Sequence, residues 1–350
     1  MANSISVGPA TLPYVPLSGA SALRPAVRGL AEAPQSGVGQ DGFDARGNSA
    51  TPSAVNAVAP TPGGTVKKVG HVFVIMMENQ DWASVKGNPS APYINQVLLP
   101  QASHAENYVA GTHPSEPNYI TLEAGSTLGI SDDADPLKNH QATHDHLTAL
   151  MTKAGVSWKS YQEDIAGDVV PLTATGLYAP KHNPNIYFDD NTGNMNPKDP
   201  FGIAHNRPYS ELATDLQKST EPQFSFITPN MVNDGHDSAA PLNDKVAQQD
   251  AWLKQQIPMI MNSADYKKDG AIMVVWDEGA AKAHNPSGMI LLSDAAKGNG
   301  YASNVPLSHA STLKTIEEIY GLNPLLGDAA TAPDLSDLFA GPIAGAAKGP

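Results

Sequence analysis

The run His71-Val72-Phe73-Val74-Ile75-Met76-Met77 is apolar at every position after the first and rich in β-branched side chains. It is too short for a free helix and lacks polar alternation, so it reads as a strand buried on both faces. Ala271 to Trp276 and Met289 to Leu292 have the same character, and Phe224 to Thr228 and Val156 to Tyr161 are further strand candidates. Helical spacing lies between these runs. His146, Leu147, Leu150 and Met151 lead to a stop at Gly155, and Tyr119, Ile120 and Leu122 mark another helix. Val246 to Met261 carries apolar positions at helical intervals, with Pro258 expected to kink or end it. Leu313, Ile316, Ile319 and Tyr320 run into Gly321, a natural residue just past a helix end. Strands alternating with helices predict an α/β fold, a mostly parallel central sheet sandwiched between helices.

The polar remainder divides the chain. Residues 1–66 are rich in Ala, Pro, Gly, Ser and Val with almost no periodicity, and Thr61-Pro62-Gly63-Gly64 reads as linker. This predicts a poorly ordered N-terminal arm followed by one domain over 67–350. The stretch from Gly167 to Pro208, dense in Asn, Asp, Pro and Gly, predicts a long irregular insertion of the kind that more often carries function than not.

Composition narrows the chemistry. The net charge of −14, with 21 Lys and Arg against 35 Asp and Glu, argues against a nucleic-acid polymer or an anionic membrane surface as main partner. No cysteine is present, which excludes thiolate zinc sites, disulfide frameworks and a cysteine nucleophile. No apolar run approaches the roughly 18 residues of a spanning helix. The first residues, Met-Ala-Asn-Ser-Ile-Ser, have neither the basic nor the apolar stretch of a secretory leader.

Thr112-His113-Pro114-Ser115-Glu116-Pro117-Asn118-Tyr119 is the most informative segment. It sets a hydroxyl, Ser115, three residues before a side-chain amide, Asn118, between two prolines and at the mouth of a helix. A serine is a poor nucleophile at neutral pH and needs a base or a metal to activate it. Two predicted strands end in oxygen donors, Glu78-Asn79 and Asp277-Glu278, at the carboxyl edge where open α/β sheets bind ligands. Three carboxylates and an amide form an all-oxygen set suited to Ca²⁺, Mg²⁺ or Mn²⁺. Either pair alone reads as readily as a cap on the next helix; both together with Ser115 favour the metal.

Histidine supplies the other signal, with 11 in the chain. His236 follows a predicted strand in the polar turn from Thr228 to Asp237, and His182 lies in Lys181-His182-Asn183-Pro184 inside the insertion. Either could donate a proton or hold an anionic oxygen. Asp234 and Asp237 are placed to orient His236. His104, His140, His205 and His284 read as ordinary hydrogen-bonded residues. His144 and His146, two apart, do not share a helix face and make a poor helical metal site. His309, at the start of the last helix, reads as part of a capping neighbourhood rather than a catalytic group.

Four segments together, Met77-Glu78-Asn79, Ser115 to Tyr119, Pro229 to His236, and Trp276-Asp277-Glu278-Gly279, resemble a bacterial phosphoesterase family. That family contains secreted acid phosphatases and phospholipases C and lies within the alkaline-phosphatase-like superfamily. Tyr161-Gln162-Glu163-Asp164 and Lys181 to Pro184 are similar to its substrate-side insertion, and the likeness spans residues 69–322. The resemblance implies a phosphate ester substrate, with Glu78, Asn79, Asp277 and Glu278 as ligands of a divalent metal ion and Ser115 both bound to it and attacking. It implies that Asn118 holds a phosphoryl oxygen and that His182 and His236 contact the phosphate or protonate the leaving group. Some relatives carry Asp where this chain has Glu278. Phospholipase C members generally add C-terminal domains, and this chain stops soon after Pro324, so the short acid phosphatase branch fits better. The implied activity is a metal-dependent acid phosphatase acting on monoesters through a phosphoserine, in the periplasm or secreted. A phosphodiesterase or phospholipase C using the same site, and a non-catalytic metal-binding surface protein, are the alternatives.

Overall fold

A computed structural model describes residues 67–280 and 285–343; the arm read over 1–66 and His284 lie outside the described residues. Eight strands form one sheet: β1 (His71–Met77), β2 (Ser103–Ala105), β3 (Trp158–Gln162), β4 (Asn206–Pro208), β5 (Phe224–Thr228), β6 (Gly270–Trp276), β7 (Met289–Ser293) and β8 (Tyr301–Ser303). Their spatial order is β4-β3-β5-β1-β6-β7-β2-β8. β7 runs antiparallel to both neighbours, β6 and β2, and every other pairing is parallel. The sheet is mostly parallel and flanked by helices, as its sequence pattern predicts.

The apolar run of β1 is explained by two cores. Val72, Val74 and Met76 pack on one face with Tyr119, Leu122, Leu147, Met151 and Leu313. Phe73, Ile75 and Met77 pack on the other with Trp252, Leu253, Ile257 and Ile260. Successive side chains of a strand point to opposite faces, so a central strand covered on both sides needs apolar residues throughout. Burying each contributes about 1.5–3 kcal/mol, which outweighs any local preference for helix.

The longest of the described helices in those layers are α1 (Ser115–Ala124), α2 (Leu147–Ala154), α3 (Lys245–Met261) and α4 (His309–Tyr320). Gly155 and Gly321 end α2 and α4 with φ of 73° and 62°, the left-handed turn that glycine adopts without steric cost. His146 lies one residue outside α2, at its N-cap position, with the ring Nδ1 directed at Glu123. Pro258 lies inside α3 rather than ending it. The N–H it lacks would have bonded the carbonyl of Lys254, an exposed residue, and burial of Trp252, Leu253, Ile257 and Ile260 holds the helix in place. Strand β3 starts two residues later than its sequence pattern suggests.

The insertion at 167–208 contains short helical turns, Pro180–His182 and Pro184–Tyr187, and ends in edge strand β4. Val170, Leu172, Ile186, Tyr187 and Phe188 pack against Ile120 and Ala124 of α1, so the insertion has a small core of its own. None of the described helices is long and apolar enough to cross a membrane.

Candidate active site

β1 and β6 are adjacent and parallel with Met77 paired to Trp276, so Glu78 and Asp277 leave the sheet side by side at its carboxyl edge. Asp277 N donates to Met77 O at 2.9 Å, and Asn79 N donates to Asp277 Oδ1 at 3.0 Å. Asn79 takes φ 46°, a left-handed conformation asparagine tolerates better than most residues. The carboxylate of Glu78 is fully buried. Ser115 Oγ donates to its Oε2 at 3.1 Å, and the hydroxyl of Tyr119 donates to its Oε1.

Ser115 is the first residue of α1, placed there by Pro114, whose extended backbone precedes the helix. Asn118, one turn on, is buried and donates through Nδ2 to Thr112 O (2.8 Å) and to Glu278 Oε2 (3.0 Å). His113 Nδ1 reaches the same Glu278 oxygen at 2.8 Å.

His182 stacks on Tyr119 with ring centroids 5.1 Å apart. Its Nε2 lies 3.3 Å from Glu78 Oε1 and its Nδ1 3.1 Å from Asp234 Oδ2. Neither Nε2 nor that Asp234 oxygen makes a hydrogen bond. His236 faces His182 at 5.7 Å between centroids; its Nδ1 pairs with Asp237 Oδ1 at 2.9 Å, and Lys181 Nζ donates to its Nε2 at 3.1 Å. Asp237 thus orients the ring, whereas Asp234 holds the backbone N–H of His236 (2.7 Å) and turns its other oxygen toward His182. Glycine is required in this turn: Gly235 has φ 87°, and a Cβ there would stand 2.2 Å from Gln249 Nε2. That amide donates to Glu78 O (2.9 Å) and Asp234 O (2.6 Å), while its oxygen accepts from Trp276 Nε1 (3.1 Å).

All eight residues singled out from sequence therefore converge. The electrostatics are those of crowded acids out of water. Burial first, then repulsion by the charges of Asp277 and Asp234, pushes Glu78 well above its ordinary range. Burial raises Asp277 to about 6, and burial with the charge of Asp277 raises Glu278 to about 9. Burial also lowers His182 and His236, which favours neutral imidazoles.

Lys181, His113 and Tyr119 belong to the site without having been picked out for a role in it. Their positions beside His182, Pro114 and Asn118 were the only available signal. His309 does not supply the cap of α4, which Ser308 and Ser311 form. It turns inward, Nε2 donating to Asp277 O at 2.6 Å and Nδ1 accepting from Tyr108 at 3.1 Å, and burial lowers it to about 4. His104, His140 and His205 are hydrogen-bonded to Glu106, Asp189 and Phe201 O, away from this cluster.

Buried donors without partners fit a cation. Asn79 Oδ1, Asp277 Oδ2, Asp234 Oδ2 and His182 Nε2 are all buried and unbonded, a state that costs free energy unless something occupies it. Ligand atoms of Glu78, His182 and His236 also lie within 4.8 Å of one another.

Residues 101–323 match the model of the phosphoesterase family. The chain is 31% identical over 270 residues to a phosphatidylinositol-3-phosphatase of Mycobacterium tuberculosis, covering 77% of this chain and 82% of that one. It is 27% identical over 292 residues to an acid phosphatase of Aspergillus fumigatus, covering 80% of this chain and 61% of the fungal one. Among solved structures, it is similar to a protein of the alkaline phosphatase superfamily from Vibrio parahaemolyticus, with TM-score 0.50 and 11% identity over 77% of this chain and 72% of that one. It is similar likewise to a phosphonate monoester hydrolase of Agrobacterium radiobacter, with TM-score 0.50 and 14% identity over 80% and 78%. These two likenesses show the fold. The chain belongs to the phosphoesterase family, hydrolases that act on phosphoric ester bonds.

Proposed function

We propose that the protein is a metal-dependent acid phosphatase that hydrolyses phosphomonoesters through a phosphoserine on Ser115. The observation that carries this reading is the buried Ser115 hydroxyl at the start of α1, bonded to Glu78 among carboxylates whose free oxygens have no protein partner. The relatives' names, phosphatases in both cases, support a monoester.

Glu78, Asn79 and Asp277 would hold the divalent cation, with Ser115 and Glu278 completing the oxygen set and His182 and Asp234 adjoining it. When bound, the cation would lower the pKa of the Ser115 hydroxyl and offset the negative charge of the neighbouring acids. The chain's own groups do the rest. Glu78 Oε2 accepts the Ser115 hydrogen bond and aims the oxygen. Asn118 Nδ2, one helical turn away, would turn one N–H from Glu278 to a non-bridging phosphoryl oxygen, where charge accumulates in a loose in-line transfer. His182 and His236 face the same space from the insertion and the β5 loop and bind the phosphate or the leaving oxygen. The periplasmic or secreted location belongs to this proposal and rests on the family alone.

The test is an acid quench of the protein turning over p-nitrophenyl phosphate, with and without chelator, followed by mass mapping. Phosphate on Ser115, absent after chelation and in Ser115→Ala together with a loss of at least about 10³ in kcat, is the expected result. More than a few per cent of wild-type turnover in Ser115→Ala rules the nucleophile out.

A further inference from the structure

Lys181 has no part in the scheme above, yet its Nζ lies between Asp133 Oδ2 (3.0 Å) and His236 Nε2 (3.1 Å). Its side chain is 17% exposed, and its charge acts on Glu78, Asp234, Asp277 and Glu278. The ammonium therefore belongs to the interior of the site rather than its rim. Burial opposes its charge, and the contact with Asp133 and the charges of Glu78 and Asp277 outweigh that opposition.

Asp133 has a second partner. Its Oδ1 accepts from the backbone N–H of Glu116 at 3.0 Å. Glu116 follows Ser115 at the start of α1, where helix N–H groups lack intrahelical acceptors and favour an anion. One carboxylate thus spans an ammonium and a helix-end N–H, the latter on the residue next to the candidate nucleophile. Two oxygens of a phosphoryl group can make the same pair of contacts, since carboxylates and phosphates are recognised by the same donors.

We propose that Asp133 is an internal stand-in for the phosphoryl group, and that a phosphomonoester dianion displaces it to take Lys181 and the Glu116 N–H. This rests on the Ser115 reading and deepens it by naming what selects the substrate. A monoester dianion brings two charges and three non-bridging oxygens into a site crowded with carboxylates. Ser115 attacks phosphorus, so once Asn118 holds one of these oxygens, two remain for Lys181 and the Glu116 N–H. A diester brings one charge, and an ester oxygen with its substituent stands where that third oxygen would be. Lys181 therefore discriminates by charge, and Asp133 sets the affinity an anion must exceed. As a merely structural pair, partly exposed, the two would contribute little, and removing either would affect both ester classes alike.

The experiment uses the full chain with its metal and compares wild type, Lys181→Met, Lys181→Arg and Asp133→Ala. It measures kcat/KM on p-nitrophenyl phosphate and bis(p-nitrophenyl) phosphate, and calorimetric titration with inorganic phosphate. Lys181→Met is expected to lose about 100-fold on the monoester and less than about 5-fold on the diester, with Lys181→Arg recovering most of the loss. Asp133→Ala is expected to bind phosphate about 10-fold more tightly, because the competing internal anion is gone. An equal loss on both esters in Lys181→Met overturns the proposal, as does phosphate binding that is unchanged or weaker in Asp133→Ala. If the wild type splits neither ester, the Ser115 reading fails, and the phosphate titrations still decide for or against displacement of Asp133.

Discussion

Nδ1 of His113 and Oε2 of Glu278 stand 2.8 Å apart, which ties the residue two before the candidate nucleophile to the acidic pair at the end of β6. Asn118 Nδ2 reaches the same Glu278 oxygen from α1 at 3.0 Å. His113→Ala should cost about 10-fold in kcat/KM, through misplacement of Ser115 and Glu278. Because the imidazole is about one-third exposed, the pair should contribute no more than about 1 kcal/mol to stability. Steady-state kinetics beside urea unfolding separates the two effects, and a large stability loss with unchanged kinetics would count against the positioning role.

Tyr119 gives a test of the cation that does not depend on turnover. Its hydroxyl donates to Glu78 Oε1 while its ring stacks on His182. Tyr119→Phe keeps the stack and removes the donor, so Mn²⁺ affinity measured by calorimetry should fall about 10-fold. Chelation should likewise lower the melting temperature, since a ligand at 100 times its Kd stabilises by about 2.7 kcal/mol. Unchanged Mn²⁺ affinity in Tyr119→Phe would remove Glu78 from the ligand set.

His146 predicts a pH dependence remote from the site. It lies between Glu123 Oε1 (3.1 Å) and Asp190 Oδ1 (3.0 Å). Burial lowers its pKa, but the hydrogen bonds and charges of Asp190 and Glu123 outweigh this and raise it to about 9. The folded protein therefore holds this proton more tightly than the unfolded chain, whose histidine titrates near 6.5. The associated stability, on the order of 3 kcal/mol, is fully present below about pH 6.5 and is lost as pH rises through 9. Burial opposes the charge of Asp190, but His146 and His144 together hold it down to about 2; the His146 share is the same pairing seen from the carboxylate and is not added to it. Urea unfolding of wild type and His146→Gln at pH 6 and 9.5 should show the difference between them shrinking at the higher pH. A constant difference would assign the effect of His146 to packing.

The parts of this molecule that could be read from residue order are those in which one short segment carries its own signal. β1 and β6 declare themselves by unbroken apolar runs, and Glu78, Asp277 and Ser115 stand directly beside recognisable segment ends. Strands β2, β4 and β8, with three residues each, are too short for any periodicity to show. Pro258 misleads because its effect on a helix is local, while the packing that overrides it comes from residues distant in sequence. Lys181 and Asp133 acquire meaning only across 48 residues, once the insertion folds back over α1. His309 was legible as a residue near a helix start but not as the donor to Asp277 O, because nothing in the local sequence shows which way its ring turns.

Gln249 has a dynamic consequence. One buried amide bonds Glu78 O, Asp234 O and Trp276 Nε1, and so fastens the ends of β1 and β6 and the turn after β5 to the second turn of α3. These segments cannot loosen one at a time without stranding a polar group in the core. In amide hydrogen exchange they should open as a single cooperative unit with α3, at a free energy close to that of global unfolding. The insertion that carries Lys181 and His182 makes no bond to this amide and should exchange independently of it.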